Sequence, residues 1–225
     1  MTHSRPLGRR RASASLLLGT LLLAVVPCVS LAAQDLDPLS KLDGPSKFNV
    51  QLLIDSAQAA GLPGRSLMST ALEGIAMKVD GKRIVVAVRR QYSLLQTARA
   101  SLGPAGDEEL TAAAAVLEAG AKPAALVAFR SRQNGRSDLE AFTIWADLIT
   151  RGVPKDDASS AITKLWQDGA DDATFHSLWN NVQTDILQGL NPGTALQNRI
   201  RETPGRAPPG PGKPPEGQQE NQRSK

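Results

Sequence analysis

The chain turns the same kind of corner repeatedly. Gly61-Leu62-Pro63, Gly120-Ala121-Lys122-Pro123, Gly152-Val153-Pro154, Gly169-Ala170-Asp171 and Gly189-Leu190-Asn191-Pro192 each run glycine, a small or aliphatic residue, then a helix starter. Lys78-Val79-Asp80 fits the same frame without the glycine. Glycine takes the left-handed conformation that ends one helix. The aliphatic residue packs back under the corner. Proline, aspartate or asparagine starts the next helix, with its fixed φ or its capping oxygen. Six residues after the first position stands Leu67, Ile84, Leu126, Ala158, Phe175 or Ala195, always apolar. The corners are 17, 42, 32, 17 and 20 residues apart. The shortest interval is one short helix plus one corner. The uneven spacing predicts stacked helical hairpins, either an irregular helical repeat or an orthogonal bundle, more than a regular solenoid. It leaves open whether the corners descend from an internal duplication.

Between the corners, apolar residues recur with a helical period. Leu67, Met68, Ala71, Leu72 and Ile75 form one stripe, and Leu110, Ala113, Ala114 and Leu117 another. Leu139, Phe142, Trp145, Ala146 and Ile149 continue the pattern, then Ala158, Ala161, Ile162, Leu165 and Trp166, then Phe175, Leu178, Trp179, Val182 and Ile186. Each stripe covers one face, as in helices half buried against neighbours. Residues 84–88 read locally as a strand, but the apolar steps run on to Tyr92 and Leu95 and favour helix. Only 4% of residues are aromatic, which also weighs against sandwiches and barrels. The expected fold is all-α, with eight or nine short helices. Two longer corners, at Gly103-Pro104-Ala105-Gly106 and Gln133-Asn134-Gly135-Arg136, predict caps at Asp107 and Ser137, the latter with Glu140 completing a capping box.

The N-terminus reads as an export signal. Arg5, Arg9, Arg10 and Arg11 precede an apolar run from Leu16 to Val26, Pro27 breaks it, and Ser30-Leu31-Ala32-Ala33 offers small residues for cleavage. That is the three-part pattern of a secretory signal peptide, assigned to residues 1–33. Two rivals remain. One is an uncleaved anchor, since residues 12–33 carry no charge over a length that can span a bilayer. The other is lipidation of Cys28, which Pro27 disfavours. Twin-arginine export is weakly matched, because Ala12-Ser13-Ala14 stands where apolar residues are wanted. Cleavage removes the only cysteine and one of two histidines. The processed chain then has no thiol for a disulfide or a zinc thiolate, and His176 is its one imidazole.

A formal net charge of +4 raises the question of nucleic acid. Residues 34–201, however, hold 18 bases and 19 acids, so the excess belongs to the two ends. The body has no surplus to neutralise phosphates, and basic clusters such as Arg89 and Arg90 read as a solvated helix face. The last 24 residues, 202–225, contain six prolines and four glycines. They cannot bury enough to order themselves and are expected to form a disordered tail, with polyproline II possible over 208–215. The expected organisation is therefore signal 1–33, linker 34–46, helical domain 47–201 and tail 202–225.

Few residues suggest chemistry. His176 has Asp172 four positions earlier, where it could orient the ring, but no serine elbow accompanies it. The acidic turn Asp168-Gly169-Ala170-Asp171-Asp172 has the oxygen-rich composition of a calcium loop, yet its twelfth position is Trp179 rather than glutamate. It reads better as a helix start with acids at the positive end. Glu73, Glu118 and Glu140 could pair for general acid/base work on a glycan, although no local pattern selects any two. Trp145, Trp166 and Trp179 all sit on apolar stripes, which favours core packing over a sugar platform. No phosphate loop, dinucleotide fingerprint or zinc-protease motif is present. No residue is assigned a catalytic, cofactor-binding or metal-binding role, and no cofactor is expected.

Short alanine-rich helices broken by Gly-Val-Pro corners, behind a signal and before a Pro/Gly tail, resemble exported bacterial proteins of no assigned activity. The resemblance covers about residues 62–196. It implies an all-α exported protein and carries over no functional residue. The sequence therefore leads to an exported, non-catalytic binding, scaffolding or envelope-associated protein, placed in the periplasm, the envelope or outside the cell. Its expected partner is a protein or envelope component rather than nucleic acid. The rival is a hydrolase acting on cell-wall or other extracytoplasmic polymers through Glu or Asp residues.

Overall fold

All six corners close with the same pair of backbone hydrogen bonds. At the first, the Gly61 N–H donates to the Gln58 carbonyl at 3.0 Å and the Leu62 N–H reaches back to the Ala57 carbonyl at 2.8 Å. These are the two bonds that satisfy the orphan carbonyls at a helix end. They recur at Lys78, Gly120, Gly152, Gly169 and Gly189. The second bond requires a left-handed residue in the middle. Gly120 supplies it at φ 107°, and Lys78, which stands where the frame lacks a glycine, is driven to φ 56°. The apolar residue six places on is buried at every corner: Leu67, Ile84, Leu126, Ala158, Phe175 and Ala195 are each at most 1% exposed.

The computed structural model describes residues 37–131 and 138–202. Among the described residues the chain forms nine α-helices: α1 (Gly44–Ala59), α2 (Gly64–Ala76), α3 (Gly81–Leu102), α4 (Asp107–Ala119), α5 (Pro123–Arg130), α6 (Leu139–Thr150), α7 (Lys155–Gln167), α8 (Asp172–Leu187) and α9 (Pro192–Glu202). The fold is all-α, as the periodicity requires. The strand-like run at 84–88 lies inside α3, the longest helix at 22 residues. The export signal, Cys28 and the tail beyond Glu202 lie outside the described residues.

Helix α3 packs on α1, α2, α4 and α5, while α6 packs on α4, α7 and α8, and α9 closes against α7 and α8. Consecutive helices pair in the first half, as hairpins should. The closest partner of α6, however, is α4, with α5 between them in sequence. Phe129, Phe142, Trp145, Trp166 and Phe175 form an aromatic cluster, with the Phe129 and Trp166 rings stacked at 4.9 Å and Phe129 and Phe142 at 5.0 Å. Such pairs add about 0.5–1.5 kcal/mol each beyond area burial.

Three expectations need correction. Residues 37–46, within the stretch assigned to a linker at 34–46, belong to the described structure. Leu39 is 1% exposed in the core, and Asp43 caps α1 by accepting from the Ser46 N–H at 2.9 Å. At α4 the cap is Gly106 rather than Asp107. Asp107, Glu108 and Glu109 instead occupy the first turn, where the helix dipole favours acids. Ser137 lies outside the described residues. The residue that precedes α6 is Asp138, whose side chain makes no cap bond, and Glu140 turns to a neighbouring helix.

Candidate functional site

Two of the three glutamates that no local pattern could pair do line one opening. A groove of about 500 Å³ runs between α2, α3 and α4. Helix α2 contributes Thr70 and Glu73, one turn apart. Helix α3 contributes Lys82, Arg83, Val86 and Arg90, with Ala87 and Gln91 beside them, and α4 contributes Glu118. Arg83, Val86 and Arg90 fall on one face of α3 by helical spacing. The groove therefore holds three cations and two carboxylates.

These charges barely satisfy one another. Arg90 Nε lies 3.9 Å from Glu118 Oε1, with both side chains more than half exposed, and such a pair is worth little. Among the described residues no ion pair or hydrogen bond holds the side chains of Glu73 or Arg83. Gln91 is fixed, its Nε2 donating to Ser66 Oγ at 2.9 Å. The imbalance extends beyond the groove. Helix α3 carries five bases and no acid, and residues 37–102 carry nine bases against five acids. Residues 103–202 carry nine against 14. The neutral body read from the sequence is thus a basic N-terminal part joined to an acidic remainder.

A larger groove of about 1210 Å³ passes from the corner after α1, along the start of α2, to α4. Its charged residues are Arg65, Asp107 and Glu108. Both acids belong to the first turn of α4, where the helix end already balances them.

The remaining candidates lie elsewhere. The third glutamate, Glu140, meets His176, with Oε1 at 3.1 Å from Nε2, on the exposed side of α6 and α8. Glutamate from another helix thus stands against the ring where Asp172 was expected. In the acidic turn, Asp171 caps α8 by accepting from the Thr174 N–H at 2.9 Å, and Asp168 pairs with Lys164 at 2.5 Å. Trp145 and Trp166 are in the core. Trp179 is half buried; its Nε1 donates to Asp147 Oδ2, and Arg151 lies 5.3 Å over its ring.

One cluster has no counterpart in the sequence reading. Arg130, at the end of α5, donates from Nη1 to Glu109 Oε1 at 2.6 Å and to Asp138 Oδ2 at 2.8 Å. Its Nη2 donates to the Pro104 carbonyl at 2.8 Å. Two carboxylates thus share one guanidinium, and Asp138 is only 1% exposed with Oδ1 unpartnered. Burial, and then the adjacent Glu109 carboxylate, push the Asp138 carboxyl up to about 6 against the pull of Arg130. This carboxyl lines neither groove; it ties α4, α5 and the start of α6 together. The only hint in the sequence is an arginine ending one helix and an aspartate preceding the next.

No helix among the described residues is long and apolar enough to cross a membrane. Comparison with known protein families, with curated proteins and with solved structures finds no match to this chain, so the functional argument rests on the geometry of the groove.

Proposed function

We propose that the chain is an exported, non-catalytic binding or scaffolding module of the cell envelope, and that it binds through the groove of α2, α3 and α4. The observation that carries this reading is the set of charges around that groove, which share one loose contact at 3.9 Å. Charged side chains that the folded chain leaves unsatisfied are free to meet a partner, where complementary charge supplies specificity. Export rests on the three-part pattern of residues 1–33.

The hydrolase reading draws support from Glu73 and Glu118 lining one groove. Acid/base work on a glycan asks for one carboxyl held protonated beside an ionised one. The carboxyl that is pushed up, Asp138, is buried on Arg130 away from the groove, which favours binding over hydrolysis.

The test is capture from a solubilised envelope fraction by the purified chain and by its Arg83→Glu, Arg90→Glu double variant. The module reading expects a component held by the first, released by the second and recovered uncleaved. Equal capture by both would move the site elsewhere, and a cleaved product lost in Glu73→Gln would establish the hydrolase.

A further inference from the structure

The proposed binding groove also points to the class of ligand it takes. We infer that the α2–α3–α4 groove binds a zwitterionic, amino-acid-like group, carboxylate towards Arg83 and ammonium towards Glu73; this rests on the binding-module reading above.

Charge balance in the groove selects the ligand. A simple anion entering the groove meets Lys82, Arg83 and Arg90 but also the carboxylates of Glu73 and Glu118. A simple cation meets those two acids and three cations. In either case repulsion offsets part of the attraction. A ligand carrying both signs uses both sets. Glu73 and Arg83 come from different helices, line the same opening, and are not paired with each other or with any described side chain. The folded chain thus leaves opposite charges unpaired along one opening. Between Arg83 and Arg90 on α3 lies Val86, 64% exposed, an apolar surface for the short aliphatic stretch that separates the two charges of such a ligand. Arg90 already has its loose contact with Glu118, and Lys82 offers only a point charge, so Arg83 is the better carboxylate partner. Its planar fork also suits a carboxylate. The groove's volume of about 500 Å³ falls within the range of small-molecule sites.

The test uses glycine, diglycine and triglycine, which place the two charges at increasing separations, together with triglycine acetylated at its amine and triglycine amidated at its carboxyl. Each is titrated into the purified chain and followed by amide chemical shifts. The proposal expects at least one zwitterion to shift the amides of Glu73, Arg83, Val86 and Glu118 saturably, with affinity of about millimolar order. Each blocked form should bind about fivefold more weakly, the upper end for one exposed ion pair. Arg83→Gln and Glu73→Gln should each weaken the zwitterion by about two- to fivefold, and Glu73→Gln should favour the acetylated form. Blocked forms that bind as tightly as the zwitterion would overturn the proposal, as would no shift with any of the three zwitterions. If groove amides move only with the captured envelope component or only with the acetylated form, the zwitterion is wrong and the module reading stands. If capture also fails to depend on Arg83 and Arg90, both fall.

Discussion

Gly74 leaves room for Ile84: a Cβ on Gly74 would come within 2.7 Å of the Ile84 Cγ1. That approach brings α2 onto α3 one residue from Glu73 and one from Arg83, so the missing side chain sets the spacing of the groove. Ile84 is buried at 1% and β-branched, so it cannot easily swing aside. Gly74→Ala gains helix propensity, yet we predict a net loss of about 1–3 kcal/mol from overpacking. Ile84→Ala alone should cost about 2–4 kcal/mol. In the Gly74→Ala background it should cost clearly less, because the new methyl occupies the vacated space. A double-mutant cycle by urea unfolding measures the coupling, and strict additivity would mean that the two residues do not meet.

The corners give a prediction of opposite signs at equivalent positions. Lys78 holds φ 56° where five other corners use glycine. Lys78→Gly should stabilise by about 0.5–1 kcal/mol, because relief of the left-handed strain exceeds the added freedom of the unfolded chain. At Gly120, φ is 107° and a Cβ would stand 2.5 Å from Lys155 Nζ. Gly120→Ala should therefore destabilise by about 1–2 kcal/mol, softened by the mobility of the lysine end. Thermal melts of the two variants should move in opposite directions from the parent.

Asp138 predicts an unusual pH profile. Its carboxyl titrates near 6 in the folded chain against 3.8 as the ordinary value. The folded state therefore holds the proton more tightly, and the associated stability is full below about 3.8 and lost as pH rises through about 6. The loss by pH 7 is about 3 kcal/mol at most. Asp37, Asp43 and Asp185, held low by Lys47, by the Ser46 N–H and by Arg199 respectively, act in the other direction. Their stabilisation is lost only as pH falls below the ordinary range, so the two windows are separate. Unfolding midpoints between about pH 4.5 and 7.5 should fall for the parent and stay nearly flat for Asp138→Asn. A parent profile that rises over this range would refute the assignment.

Arg199 holds Asp185 with both arms, Nε to Oδ2 at 2.8 Å and Nη2 to Oδ1 at 2.6 Å. This fork fastens α9 to α8. Lysine keeps the charge but not the two parallel bonds. Arg199→Lys should raise amide exchange in α9 by about tenfold while leaving α2 and α3 unchanged. Uniform acceleration across all helices would show that α9 does not open on its own.

What was legible in the sequence was local. A glycine, an aliphatic residue and a proline or aspartate in order specify a helix end and the next start within six residues, so Gly61, Gly152 and Gly169 could be read directly. Ile84 could be placed in a helix because its period continues to Leu95. Leu39 could not be placed in the core, because Leu36, Leu39 and Leu42 stand among Asp, Pro, Ser and Lys in a stretch too short to establish a helical stripe. The groove is half visible in the sequence: Glu73 and Glu118 stand out as acids, but α2 and α4 meet on α3 only through tertiary packing. Arg130, Glu109 and Asp138 were invisible for the same reason, since a periodic stripe marks which face is buried and says nothing about which polar ends converge. The difference between Asp107 and Gly106 as the cap of α4 is one residue of backbone conformation, which side-chain preference alone does not decide.

The central claim, that the groove of α2, α3 and α4 is the binding surface, is tested most directly by mapping. Amide spectra of the labelled chain should be recorded with and without the solubilised envelope fraction. The account predicts shifts concentrated at Thr70, Glu73, Arg83, Val86, Arg90 and Glu118, and their loss in Arg83→Glu, Arg90→Glu. Shifts confined to α8 and α9, or a spectrum that does not change, would contradict it.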